Sequence, residues 1–200
     1  ERCEIEVDNS SYVIASSDGK TLYSIADEGV VSFRILPNGS LARLNSASIR
    51  GMRGCHLCTD EEDKYVFVSG YHDGKTTVLS LNPDGSVGKI VDGVFDRGYG
   101  SVAERNFRPH VTCTRRMPDN RFVLSVDNGI DQVKIYRFND KEQKLVQVDA
   151  IRCDLESAPR HFRYSKDGKF IYLMYELKKA IEVYTYKTGD RAPVIEKIQT

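Results

Sequence analysis

The chain has 200 residues, of which 40% are hydrophobic and 29% are charged, a composition typical of a soluble globular protein with a sizeable core. Its 29 basic residues balance its 29 acidic residues, so no basic excess favours binding to nucleic acid or to an anionic membrane. No apolar run approaches the roughly 20 residues that span a bilayer, and we expect a cytoplasmic protein without a signal peptide.

The predicted elements recur along the chain in a fixed order. A tight polar turn closed by a basic residue comes first, at 18–20, 62–64, 119–121 and 167–169. An apolar run follows the last three turns, at 65–68, 122–126 and 170–174, and then an alternating segment, as at 30–35, 133–138 and 181–186. The enrichment in β-branched and aromatic residues predicts strands, with Gly, Asn, Asp and Pro in the turns between them. No segment shows a sustained helical period.

Four antiparallel strands that repeat every roughly 40–50 residues are typical of a β-propeller blade. We therefore expect one all-β domain over residues 1–200, with repeats at approximately 11–50, 54–94, 108–151 and 158–200. The longer interval before the third repeat indicates an insertion at about 93–108.

A histidine stands at the head of three of these repeats. His56 and His161 each lie eight residues before the basic residue that closes the turn, and Tyr12 takes that place in the first repeat. His110 lies eleven residues before Arg121, and we assign the extra length to 115–118. Because repeats bring equivalent positions together around an axis, we expect the three histidines to share one pocket.

The five cysteines are odd in number and the chain is not a small secreted scaffold, so we expect reduced thiols. Cys55 and Cys58 resemble half of a zinc knuckle, but residues three apart on a strand point to opposite faces. No second cysteine pair follows, and the histidines lack zinc-site spacing. We expect neither a metal nor a cofactor.

Two further features are interpreted as solvated surface. Arg115 and Arg116 form a short basic pair in a predicted turn. His72 lies beside Asp73 in a predicted outer loop.

Five stretches, in this order and spacing, resemble the lactonase family of seven-bladed β-propellers. They are 54–56, 70–74, 104–110, 127–137 and 158–161 with 175–177, and together they run from about Gly54 to Tyr186. The family includes cycloisomerase-type 6-phosphogluconolactonases and carboxymuconate cyclases. The resemblance implies a seven-bladed fold, of which this chain would hold about four to five blades, and a pocket at one end of the central channel.

The resemblance also implies site residues. It gives catalytic roles to His56, Arg105, His110 and Arg160, and substrate contacts to His161, Glu176 and Tyr71.

A lactonase must deliver water to an ester carbonyl, and an imidazole with a pKa of about 6.5 can take the proton at neutral pH. We expect His56 or His110 to be this base. A guanidinium can stabilise the oxyanion or bind phosphate, which suits Arg105 and Arg160, and Glu176 would orient a histidine or an arginine.

The sequence therefore favours hydrolysis of a small anionic lactone, with 6-phosphogluconolactone to 6-phosphogluconate as the expected reaction. A muconate-type cycloisomerase stays open as a second enzyme. A non-catalytic interaction scaffold also stays open, because Thr112 stands where the family usually has a second histidine. We expect the chain either to form a homodimer through open blade edges or to be marginally stable, since unpaired strand edges favour association.

Overall fold

The structure is a computed structural model that describes residues 4–100 and 107–198, and these residues form 16 β-strands and no helix. The strands make four separate antiparallel sheets of four, in which neighbours in sequence are neighbours in the sheet. This arrangement confirms the all-β propeller class, with each sheet as one blade. No helix able to cross a membrane is found in the described ranges.

The four blades follow one another along the chain. The first blade contains β1 (Val13–Ala15), β2 (Thr21–Ala26), β3 (Gly29–Ile35) and β4 (Leu41–Ser48). The second contains β5 (His56–Thr59), β6 (Tyr65–Gly70), β7 (Lys75–Leu81) and β8 (Val87–Phe95). The third contains β9 (Val111–Arg116), β10 (Phe122–Asp127), β11 (Gln132–Asn139) and β12 (Lys144–Arg152). The fourth contains β13 (Pro159–Tyr164), β14 (Phe170–Tyr175), β15 (Ile181–Lys187) and β16 (Val194–Lys197).

The hydrophobic cores lie between successive blades. Ile25 of the first blade packs with Leu57 and Val68 of the second, and Phe67 of the second packs with Phe138 of the third. A third cluster, which includes Phe162, joins the third and fourth blades. The first strand of each blade contacts the first strand of the next, so β1, β5, β9 and β13 line the channel.

A buried hydroxyl network also joins the second and third blades. Thr114 Oγ1 lies 3.0 Å from the hydroxyls of both Ser69 and Ser125, and Thr76 Oγ1 lies 2.9 Å from that of Ser125. All four residues are buried. Each hydroxyl therefore has a partner where water has no access, which offsets the cost of burying it.

One backbone hydrogen bond sets the register of the repeat. In each blade an amide donates to the carbonyl five residues later: Ser16 to Thr21, Asp60 to Tyr65, Met117 to Phe122 and Ser165 to Phe170. The residues four positions before these donors are therefore structurally equivalent, and we call them the axis positions: Tyr12, His56, Cys113 and His161. The expectation that His110 is equivalent to His56 and His161 is wrong. The extra length falls before β9, and not within 115–118.

Candidate functional site

The axis positions meet in the channel, as equivalent positions of a repeat should. The ring of His56 lies 4.8 Å from that of Tyr12 and 5.4 Å from that of His161, measured between centroids. Cys113 Sγ lies 3.7 Å from His56 Nε2. The second, third and fourth blades thus place an imidazole, a thiol and another imidazole, in that order, around the same point.

A cavity of about 580 Å³ opens beside these residues. Its lining combines histidine, arginine, glutamate and hydroxyl side chains, namely Tyr12, Cys55, His56, Tyr71, His72, Thr112, Arg160, His161, Met174 and Glu176. The structure therefore brings together five of the seven predicted site residues. His110 is not in this lining, and Arg105 lies outside the described residues.

An ion pair holds Arg160 at the cavity. Arg160 Nη1 donates to Glu176 Oε2 at 2.7 Å, and both side chains are partly exposed. The pairing of β13 with β14 shifts register between Pro159 and His161. Because such a bulge interrupts the alternation of strand side chains, Arg160 and its neighbour His161 both reach the cavity. Thr112 Oγ1 donates to the Arg160 carbonyl at 2.6 Å, which ties this bulge to the third blade.

His56 is buried, with only 2% of its surface exposed. Its Nε2 lies 3.3 Å from Arg115 Nη2, and the ring of His161 lies beside it with the two ring planes 70° apart. Burial, and then the charge of Arg115, lower the pKa of His56 to about 2. The expected imidazole of ordinary pKa is therefore not found here, and His56 is a neutral, weakly basic group at pH 7.

His161 is half-buried and lines the cavity. Burial lowers its pKa, and the charges of Arg115 and Arg160 lower it further. A lowered pKa keeps the imidazole neutral at pH 7, so it retains a lone pair that can accept a proton. Of the axis histidines it is the more accessible.

His110 lies between the second and third blades, and not in the cavity. Its ring stacks on that of Tyr71, with centroids 4.3 Å apart, and its Nδ1 lies 2.6 Å from the Tyr71 carbonyl oxygen. Its backbone amide donates to Asp127 Oδ1 at 2.8 Å. These contacts make His110 a connection between blades, and Tyr71 joins it to the cavity.

The expectation that Arg115 and Arg116 form a wet surface is wrong. Strand β9 continues through both residues, so they alternate between its two faces. Arg115 follows Cys113 into the channel, whereas Arg116 is 6% exposed and pairs with buried Asp60 at 3.4 Å. Arg116 also donates to the Asn120 carbonyl at 2.6 Å.

Three residues of the site were missed from the sequence. His72 is exposed to solvent as expected, but its side chain lines the cavity and does not belong to an outer loop surface. Cys113 and Arg115 belong to the channel because of the register of β9. The signal that identifies Cys113 is its place nine residues before Phe122, since His56 precedes Tyr65 and His161 precedes Phe170 by the same number.

The site can do three things chemically. Arg160 can bind an anionic group, a neutral histidine can accept a proton, and His56, Cys113 and His161 offer ligand atoms within 4.8 Å of one another. The thiols of Cys55, Cys58, Cys113 and Cys153 are free, and burial raises the pKa of each. None of them is therefore activated as a nucleophile.

Comparison with known sequences places the chain among propeller proteins. A family model described as "Lactonase, 7-bladed beta-propeller" matches residues 2–200. A 6-phosphogluconolactonase of Bacillus subtilis is 31% identical over 183 residues, which cover 89% of this chain and 52% of that protein. An uncharacterized protein of Staphylococcus saprophyticus is 28% identical over 191 residues, which cover 92% of this chain and 54% of that protein. The chain spans about half the length of the curated relatives it matches.

Solved structures agree with this placement. A crystal structure of a candidate 6-phosphogluconolactonase from Bacteroides fragilis has a TM-score of 0.85 at 30% identity, over 98% of this chain and 57% of that one. A periplasmic gluconolactonase of Pseudomonas aeruginosa has a TM-score of 0.87 at 24% identity, over 98% of this chain and 58% of that one, which shows the fold alone. With its four blades, its axis register and a family match over nearly the whole chain, this protein belongs to the lactonase family of seven-bladed β-propellers.

Proposed function

We propose that the protein hydrolyses a sugar lactone that carries an anionic group, with 6-phosphogluconolactone as the substrate. The observation that carries the proposal is the cavity in which Arg160, held by Glu176, stands beside the neutral imidazole of His161. An anion-binding cation next to a proton acceptor is what hydrolysis of a charged lactone requires.

Arg160 is assigned to the substrate anion or to the carbonyl oxygen. A guanidinium carries five N–H donors, and one Nη1 bond to Glu176 leaves others to reach a ligand. The ion pair with Glu176 limits the rotation of a long side chain, so less freedom is lost when substrate binds. The cavity volume of about 580 Å³ lies within the usual range for small-molecule sites.

We assign the proton transfer to His161, and not to His56 or His110. His161 accepts a proton from water as the water oxygen bonds to the lactone carbonyl carbon. The tetrahedral oxyanion then reforms the carbonyl, the ring C–O bond breaks, and the imidazolium returns the proton to the leaving oxygen. The products are one hydroxy acid and the unchanged enzyme. His56 is a weaker base because it is more deeply buried.

The relatives support the substrate class. The Bacillus protein is named a 6-phosphogluconolactonase, and the Bacteroides structure carries the same name as a candidate. Because this chain spans about half of these proteins, the activity must be tested both on this chain and on any longer protein that contains it.

The test is hydrolysis of freshly generated 6-phosphogluconolactone, corrected for its spontaneous hydrolysis. We expect Arg160→Gln to lower kcat/KM by about 10²–10³-fold and His161→Gln to lower kcat by about 10²–10⁴-fold. Arg137→Gln is the matched control, because Arg137 is exposed on the third blade, away from the cavity lining. Full activity in folded Arg160→Gln and His161→Gln, or an equal loss in the Arg137→Gln control, would overturn the assignment.

A folded, inactive full-length protein would also overturn the proposal. Turnover of a muconolactone in place of the sugar lactone would support the cycloisomerase alternative. No turnover of either class would support the interaction scaffold.

A further inference from the structure

Three axis positions place metal-binding groups together on three different blades. His56, Cys113 and His161 each offer a ligand atom, and all three atoms lie within 4.8 Å of one another. Cys113 Sγ lies 3.7 Å from His56 Nε2. No pair of these residues is close in sequence, which explains why the spacing of the histidines predicted no metal.

The distances suit one tetrahedral ion after a small adjustment. Bond lengths of about 2.0–2.1 Å to nitrogen and about 2.3 Å to sulfur hold the ligand atoms of one zinc ion roughly 3.3–3.6 Å apart. The His56–Cys113 distance of 3.7 Å is already close to this value. The widest separation of 4.8 Å must shorten by about 1.2–1.5 Å, and His161, which is half-buried beside a cavity, has room to turn.

The donor set selects the metal. Two imidazoles and one thiolate suit ions of intermediate softness, with Zn²⁺ as the common case, and suit Mg²⁺ or Ca²⁺ poorly. Three protein ligands leave a fourth position for water. Both histidines line the cavity, and Cys113 is fully buried behind them.

A second observation separates this cluster from ordinary core packing. Nδ1 of His56 is buried and has no hydrogen-bond partner in the described part of the chain. Buried polar atoms of core residues are nearly always paired, so this unpaired nitrogen distinguishes His56 from an ordinary hydrogen-bonded core histidine, while its ligand atom is Nε2, which faces Cys113.

Arg115 is the charged neighbour that opposes a cation. Its Nη2 lies 3.3 Å from His56 Nε2, the atom that faces Cys113. The guanidinium has another partner, since its Nη1 lies 3.6 Å from Cys58 Sγ. Arg115 would also stabilise a Cys113 thiolate, which metal binding requires.

We propose that His56, Cys113 and His161 together bind one divalent transition-metal ion, with Zn²⁺ as the preferred ion. On binding, the Cys113 S–H bond breaks, the proton passes to buffer, and an S–Zn bond forms without any change in oxidation state. Arg115 gives up its contact with His56 and keeps that with Cys58.

Calorimetric titration of the chain with Zn²⁺, and absorption spectra with Co²⁺ as a substitute, test the proposal. We expect one ion per chain, release of one proton, and a sulfur-to-cobalt charge-transfer band. Cys113→Ser should abolish that band, and His161→Gln should weaken Zn²⁺ binding by at least about tenfold.

Cys153→Ser is the control, since Cys153 is a free thiol outside the cluster. Circular dichroism and thermal melting verify that each variant is folded, and His161→Gln covers the case in which the fully buried Cys113 does not tolerate serine. Absence of Zn²⁺ binding to the folded chain would overturn the proposal. So would binding that Cys113→Ser and His161→Gln leave unchanged.

Metal binding also has a consequence that rests on the proposed function. A metal on His161 occupies the lone pair that would accept the proton from water. Zn²⁺ should therefore inhibit lactone hydrolysis, and chelation should restore it. The two proposals fail separately, because binding is measured by heat and spectrum without substrate, whereas hydrolysis is measured in the presence of chelator.

Discussion

The imidazole of His110 stacks on the ring of Tyr71 with their planes 15° apart, and its Nδ1 bonds the carbonyl of the same residue. Histidine and tyrosine here join the third blade to the second. We expect His110→Ala to lower the free energy of unfolding by about 2 kcal/mol, because a stacked pair is lost and a carbonyl is left without its donor. Urea denaturation measures this loss.

His110→Asn is the matched variant, since its side-chain amide nitrogen can take the place of Nδ1 and should recover part of the stability. The kcat of folded His110→Ala should stay near that of the parent. A stable variant that has lost turnover would instead return His110 to the chemistry.

The pKa of His161 should respond to a residue that does not line the cavity. The Arg115 charge contributes to the lowered pKa of this imidazole, so Arg115→Gln should raise it. NMR titration of the His161 ring protons measures the shift. The acid limb of kcat/KM should lie below the ordinary imidazole value of about 6.5 in the parent and move to higher pH in the variant. An unmoved limb alongside a raised pKa would exclude His161 as the base.

The buried ion pair of Arg116 and Asp60 should be costly to break. Removing the cation in Arg116→Met leaves a buried carboxylate that also accepts the amides of Lys64 and Tyr65. We expect a loss of about 3–5 kcal/mol at neutral pH. Adding Asp60→Asn, which keeps an acceptor for both amides, should recover part of the lost stability.

This loss should depend on pH in a defined direction. Burial already raises the pKa of Asp60, and removal of Arg116 raises it further. A native-state pKa above the unfolded value means that stability is lost as pH rises, so the penalty should shrink in acid. Denaturant midpoints across pH report it, and a penalty that grows in acid would contradict this account.

The buried pair of acids Asp96 and Asp127 should make stability fall with rising pH. Burial and the adjacent carboxyl of Asp96 raise the pKa of Asp127, and burial raises that of Asp96 as well. The native state therefore holds a proton that the unfolded chain releases above about pH 4, and stability declines from there through the raised pKa.

Asp127→Asn should flatten this decline. Its amide oxygen can still accept the His110 and Gly129 amides, and its nitrogen replaces the acid proton. Denaturant midpoints at about pH 5 and about pH 8 measure the slope. Equal slopes in parent and variant would show that the pair does not control it.

The sequence predicted the blades because strand alternation and turn residues are local signals. It also placed His56 and His161 correctly, since both precede a turn at the same distance. It failed in the third repeat, where Pro109-His110 resembles the start of a strand but β9 begins at Val111. That shift hid Cys113, and with it Arg115, which lies two residues further along the same strand. The burial of Arg116 depends on Asp60 of another blade, a contact that local sequence does not carry.

The four axis positions have equivalent backbone geometry, because the same turn hydrogen bond and strand pairing fix each of them. Tyrosine, histidine, cysteine and histidine occupy them in turn without any change in the blade. Each blade therefore contributes one side chain to the interior of the channel, and that side chain can change independently of the others. Proteins whose backbones superpose can for this reason carry different functional groups at the centre of the propeller. The fold alone does not identify those groups.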